Sequence, residues 1–170
     1  MNAFIAVVLA RVSTILAFAL ASVPVVTWPQ ASWAQQAGPP AFCPDLRRVT
    51  ALAMSQEKFA SITGKPRQGN FSDVTLALSG WEDCALYGAT TYTCDSLPLD
   101  SAQAAEQAQT DILQQAKVCL GEGWSEAAAQ ASANYVVLHS ALRPVSITLS
   151  TDRTEDNKHV VRLIMFVRRN

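Results

Sequence analysis

Four cysteines, Cys43, Cys84, Cys94 and Cys119, constrain what this 170-residue chain can fold into more than any other feature. Their chemistry depends on the compartment, and the N-terminal stretch sets the expectation for that. From Arg11 to Asp45 no charged side chain intervenes. An apolar run over residues 12–26 follows the single Arg11, and Pro29 with small residues follows the run, which is the order of a secretory signal. Ser32 and Ala34 suit cleavage after Ala34, and "ALA" ending at Ala21 is a second acceptable site that would leave a longer tail. The competing reading is a retained anchor, but the run of about 15 residues falls short of the roughly 20 that cross a bilayer core. Cys43 follows "PPAF", not a small-residue cleavage motif, so no lipid attachment is expected.

The expected organisation is a signal peptide at 1–34, a flexible linker at 35–42 and one domain at 43–170, a common size for a single core. All four cysteines follow the cleavage site, and an even count in an exported chain reads as two disulfides. Spacings of 41, 10 and 25 positions lack the close pairs of a zinc site and the C-x-x-C of a thiol-redox centre. Thirteen Lys and Arg stand against fourteen Asp and Glu without a basic stripe, so nucleic acid is not an expected partner. Once a signal is removed, no membrane partner is expected either.

Residues 44–64 place Leu46, Val49, Ala53, Phe59 and Ala60 on one helical face between Pro44 and Gly64, predicting a single amphipathic helix, with "KPRQGN" a polar turn. Residues 71–80 alternate Val74, Leu76 and Leu78 against Thr75, Ala77 and Ser79, predicting a strand. In "CALYGATTYTC", a turn around Gly88 to Thr90 sets Leu86 opposite Tyr92 and Cys84 opposite Cys94. A second helix runs from a cap at Asp100 or Ser101 to Gly121, with Ala105, Ala108, Ile112, Ala116 and Cys119 as its apolar stripe. The segment "EGWSEAAAQASA" reads as either a short helix or an irregular connection. Three further strands follow, with Val136 and Leu138, then Val145, Ile147 and Leu149, then Val161, Leu163, Met165 and Val167 facing one way. The expected fold is α+β in two layers, an antiparallel sheet of about five to six strands with two main helices on one face. Helix-then-strands occurs twice, although no residue-by-residue repeat accompanies it.

Cys43 before a helix, "LSGWEDC" ending at Cys84, "YTC" at Cys94 and "CLGEGW" from Cys119 resemble a loose group of small exported, uncharacterised proteins of alphaproteobacteria. The resemblance implies export and a disulfide-stapled α+β domain, and no activity. The element order is also similar to that of type III secretion chaperones, a fold-level likeness only. Those chaperones are cytosolic and acidic, whereas this chain reads as exported and nearly neutral.

Catalytic signals are sparse. His139 and Ser140 are neighbours on a strand and point to opposite faces, so they form no nucleophile and base. His159 reads as a strand-end residue, Glu82 and Asp83 as a solvated turn, and Asp152, Glu155 and Asp156 as part of a polar hairpin connection without EF-hand order. No catalytic residue, cofactor or metal site is predicted. On the sheet face away from the helices, small polar groups are expected: Thr75, Ala77, Ser79, Thr91, Thr93, Ser146, Thr148 and Ser150. Tyr135, Val137, Val160, Ile164 and Phe166 interrupt them, with Arg162 and Arg168 between, and this patch is the candidate partner surface for another envelope protein or a second copy. The alternative is that "EGWSEAAAQASA" covers it. The expected function is that of an exported, periplasmic or secreted, binding or adaptor protein, with an envelope enzyme as the alternative.

Disulfide connectivity stays open at this point. A hairpin bond Cys84 to Cys94 leaves Cys43 with Cys119. If the two helices ran parallel, however, Cys119 would lie about 28 Å along the second helix, beyond the roughly 4.4–6.8 Å a cystine spans. Cys43 would then pair with Cys84.

Overall fold

The structure, a computed structural model, describes residues 41–127 and 134–168. The expected signal peptide and all but the last residues of the linker lie outside the described residues. The order is α1 (Phe42–Ala53), a 3-10 turn (Ala60–Ile62), β1 (Thr63–Pro66), β2 (Phe71–Val74), β3 (Trp81–Tyr87), β4 (Thr91–Ser96), α2 (Ala102–Leu120), β5 (Trp124–Glu126), β6 (Tyr135–Ser140), β7 (Val145–Arg153) and β8 (His159–Val167). All strands form one antiparallel sheet in the order β1-β2-β3-β4-β8-β7-β6-β5. The class is α+β, with eight strands in place of the five to six expected.

The two additional strands are edge strands of four and three residues. Neither carries a period-two pattern. β1 lies where a helix end and a turn were expected, and β5 lies in the segment left undecided. Pro66, which has no N–H to give a ladder, is tolerated at such an edge. Gly64 serves the β1–β2 pairing, not a helix cap: a Cβ there would stand 2.9 Å from Asp73 Cβ and 3.0 Å from its carbonyl oxygen.

Helix α1 buries Phe42, Leu46, Val49, Thr50 and Ala53, a continuous helical face. It ends at Ala53, well before Gly64. Ser55 Oγ donates to the Leu52 carbonyl at 2.8 Å, competing with the next helical bond, and Lys58 takes φ 52°. The chain turns, and Phe59 reaches the core independently, its ring 5.9 Å from that of Tyr92. Helix α2 matches its signals: Ser101 Oγ accepts from the Ala104 N–H at 3.1 Å, and Gly121 ends the helix at φ 73°. Its buried face is Ala105, Gln109, Leu113, Ala116 and Cys119, whereas Ala108 and Ile112 are half-buried. Gln109 enters the core because its amide donates to the Leu149 carbonyl at 2.8 Å.

Both helices cover the sheet face bearing Leu86, Tyr92, Cys94, Leu138, Ile147, Leu149, Leu163 and Met165. Each such large apolar side chain is worth about 1.5–3 kcal/mol when fully buried. Phe42 stacks on Trp81 at 6.1 Å on this side. The helices do not run parallel from a common end. Cys43, in the first turn of α1, is bonded to Cys119 at the end of α2 with 5.2 Å between Cα atoms, and Arg47 Nε donates to the Cys119 carbonyl at 2.6 Å. The second disulfide is Cys84 to Cys94 across the β3–β4 hairpin, where Leu86 stands opposite Tyr92 as expected.

Helix and four strands therefore occur twice, and the last strand of each set, β4 and β8, pair antiparallel at the sheet centre. This is the arrangement a local two-fold axis produces. No helix among the described residues is long and apolar enough to cross a membrane.

A groove on the helix-free sheet face

Alternation across the ladders assigns the face opposite the helices. Tyr87 pairs with Thr91 and Thr91 with Phe166; Ala85 pairs with Thr93 and Thr93 with Ile164; Asp95 pairs with Arg162. A groove of about 640 Å³ runs over this face of β2, β3, β4 and β8, within the usual range for a small-molecule site. Its floor is Ala85, Thr91, Thr93 and Ile164. Phe71 and Tyr87, with ring centroids 5.1 Å apart and planes tilted by 54°, form one wall. They remain 42% and 48% exposed.

Arg67 and Gln68, from the β1–β2 connection, close that end. Arg67 is drawn over the sheet by Asp73 on β2 at 2.5 Å and Asp83 on β3 at 2.6 Å, while Nη2 lies 3.5 Å from the Cys84 carbonyl. At the other end Arg162 forks onto Asp95 with bonds of 2.7 and 2.8 Å and meets Asp152 at 3.3 Å. The Asp73 hydrogen bond, then that of Asp83, holds the Arg67 pKa above its ordinary value. Asp95 chiefly does the same for Arg162, to which the charge of Asp83 also contributes. Asp83 thus acts on both arginines.

Asp83 is placed by a β-bulge. Glu82 pairs with Asp95 and Ala85 with Thr93, so Asp83 and Cys84 together oppose the single Cys94. Asp83 takes φ 42°, a left-handed conformation uncommon outside glycine and, after it, asparagine and aspartate. The extra residue lets Trp81, Cys84 and Leu86 all face the helices despite the three-residue step between the first two. Glu82 and Asp83 therefore lie within a strand, not in a solvated turn.

The sequence-based partner surface is redistributed. Arg162 and Ile164 line the groove. Phe166 is half-buried on the same face beside Thr91 and Ser146, and Tyr135 is half-buried opposite Ser150. Val137 and Val160 are buried, 8% and 3% exposed. Arg168 is engaged by the Ser140 and Arg143 carbonyls at 2.9 and 3.0 Å. Of the small residues expected on this face, Ser146 is buried. Residues 75–80 leave the sheet, and Ser79 turns back so that its N–H donates to the Asp45 carboxylate of α1 at 3.0 Å.

Phe71, Tyr87, Arg67, Asp83 and Asp95 were not identified from sequence as a site; the exposed aromatic pair was the available signal, hidden by the unknown β2–β3 register. No histidine or cysteine lines the groove. His139 sits inside β6 opposite Ser146, and His159 starts β8 opposite Arg153. Among the described residues no three His, Cys, Asp or Glu side chains converge as a metal site. The groove offers aromatic faces, threonine hydroxyls and carboxylates, which are the elements of reversible binding. Comparison of the chain with known protein families, with characterised proteins and with solved structures finds no match.

Proposed function

We propose that this chain is an exported, periplasmic or secreted, binding protein that holds a ligand in the groove over β2, β3, β4 and β8 and carries out no catalysis. The observation that supports this reading most directly is the exposed Phe71–Tyr87 pair beside a concave floor. Catalysis near neutral pH draws on groups able to exchange protons there, and the groove is lined instead by aspartates tied to arginines. Export accords with the leader-like N-terminal stretch and with two disulfides, which persist in oxidising compartments.

The test has two arms. Fractionation of the native producer with thiol alkylation should place the protein in the envelope fraction without free thiols; a cytoplasmic, reduced pool would overturn export. A thermal-shift screen of small metabolites against the purified protein should yield hits that raise Tm for the wild type and not for Tyr87→Ser. Hits indifferent to that substitution would overturn the groove as the binding site.

A further inference from the structure

The groove has a sign. Resting on the binding function just proposed, we infer that its ligand class is a small organic cation, an ammonium carried on an apolar body. Both arginines of the groove are already paired with carboxylates. Every nitrogen of Arg162 has a carboxylate partner: Nε and Nη2 on Asp95, Nη1 on Asp152. Arg67 is likewise held by two carboxylates, Nε on Asp73 and Nη1 on Asp83, with Nη2 at a long 3.5 Å from the Cys84 carbonyl. Each guanidinium keeps N–H groups beyond these contacts, but its charge is already compensated by two carboxylates, so an incoming carboxylate or phosphate would add negative charge where aspartates already stand.

Carboxylates outnumber guanidiniums in this network: four aspartates are ion-paired with the two arginines, Asp83 and Asp95 in the groove lining and Asp73 and Asp152 outside it, so the network carries net negative charge. Asp83 meets Arg67 through Oδ1, and its side chain, part of the groove lining, is 68% exposed. A ligand that complements this site brings donors and positive charge.

The aromatic wall makes the same demand by a different route. The faces of Phe71 and Tyr87 carry the negative side of the ring quadrupole, which attracts a cation within about 6 Å of a centroid. Ala85 and Ile164 supply contact for an apolar body, and the volume of about 640 Å³ sets a small-molecule scale. The position of Asp83 adds a third observation. An aspartate held at φ 42° in a bulge keeps a conformation that costs free energy, and such residues cluster at ligand sites.

Three probes with one shape isolate charge: phenethylammonium, the neutral phenethyl alcohol and the anionic phenylacetate. Each is titrated into the full-length disulfide-bonded protein by calorimetry, with amide NMR shifts locating the site. The ammonium should bind with shifts centred on Tyr87 and Thr93, about tenfold or more tighter than the alcohol, and weaken as salt is raised. Phenylacetate should not bind. Asp83→Asn keeps a residue tolerant of the left-handed conformation, so the fold survives, and it should lower ammonium affinity about tenfold by removing one carboxylate charge. Equal binding of alcohol and ammonium at Tyr87 and Thr93 would overturn the cation assignment and leave the binding function standing. Tighter binding of phenylacetate would reverse the assignment outright. No shift at the groove with any probe would overturn both this assignment and the groove itself.

Discussion

Removing the Cys43–Cys119 bond should cost the protein more than removing Cys84–Cys94, by an amount that follows from sequence separation. The first bond closes 76 positions and the second 10. In the chain-entropy treatment, cross-linking removes about 4.5 kcal/mol of denatured-state entropy for the long loop and about 2.7 kcal/mol for the short one at room temperature. The difference, about 1.8 kcal/mol, is the quantity to measure, because the alanine replacements in both variants delete sulfurs that are mostly buried and their cavity costs partly cancel. In the native state the helix ends stay together through Arg47 Nε and the Cys119 carbonyl, so the effect of Cys43→Ala/Cys119→Ala falls mainly on the unfolded chain. Guanidinium unfolding followed by circular dichroism gives the two stabilities, and the long-loop variant should also show the larger m value as its denatured state expands. For a domain of this size the midpoints should differ by about 7 °C in a thermal scan. A Cys84→Ala/Cys94→Ala variant that is equally or less stable than the long-loop variant would refute the reasoning.

Other outcomes follow from single positions. At Asp83, with φ 42°, glycine should leave stability within about 0.5 kcal/mol of wild type, since relief of the left-handed backbone offsets loss of an exposed ion pair, whereas valine should cost about 1–3 kcal/mol; urea midpoints separate them. Gly64→Ala should destabilise by about 1–3 kcal/mol, because its Cβ meets Asp73 Cβ at 2.9 Å between paired backbones, and amide exchange should quicken first in β1 and β2. Burial raises the Tyr92 phenol above its ordinary value of 10.0. Because the folded state holds that proton more tightly, its contribution is complete below pH 10 and is lost as pH rises through and beyond it, at about 1.4 kcal/mol per pH unit. Tyr92→Phe should flatten this alkaline limb while costing about 1 kcal/mol at neutral pH through the lost bond to the Leu76 carbonyl.

What the sequence disclosed and what it concealed divide along physical lines. α2 was legible because cap, stripe and glycine stop agreed, and the β3–β4 hairpin because two cysteines and a turn glycine bracketed it. β6, β7 and β8 alternate over six to nine residues. The end of α1 was not legible: Phe59 fell on the helical period by coincidence and reaches the core by another path. β1 and β5 are too short for a period and owe their pairing to their neighbours. The groove was hidden for a further reason. Its residues come from four strands and one connection, and their meeting depends on register, above all on the bulge at Asp83, which no local pattern announces. Arg162 and Ile164 were visible only as parts of a broader patch, in which Val137 and Val160 are buried.

The position of the long disulfide relative to the repeated architecture has a practical consequence. One half of the sheet ends at β4 and the next unit begins at α2, and only residues 97–101 carry the chain between them. Leu97 within that connection is 52% exposed, whereas Leu99 exchanges two backbone hydrogen bonds with His159, so residues 97 and 98 are the place to engineer a cleavage site. The Cys43–Cys119 bond links a helix of one unit to the helix of the other. A cut there would leave two polypeptides and still one molecule, separable only by a reductant, so the protein is a natural starting point for a split sensor of thiol conditions.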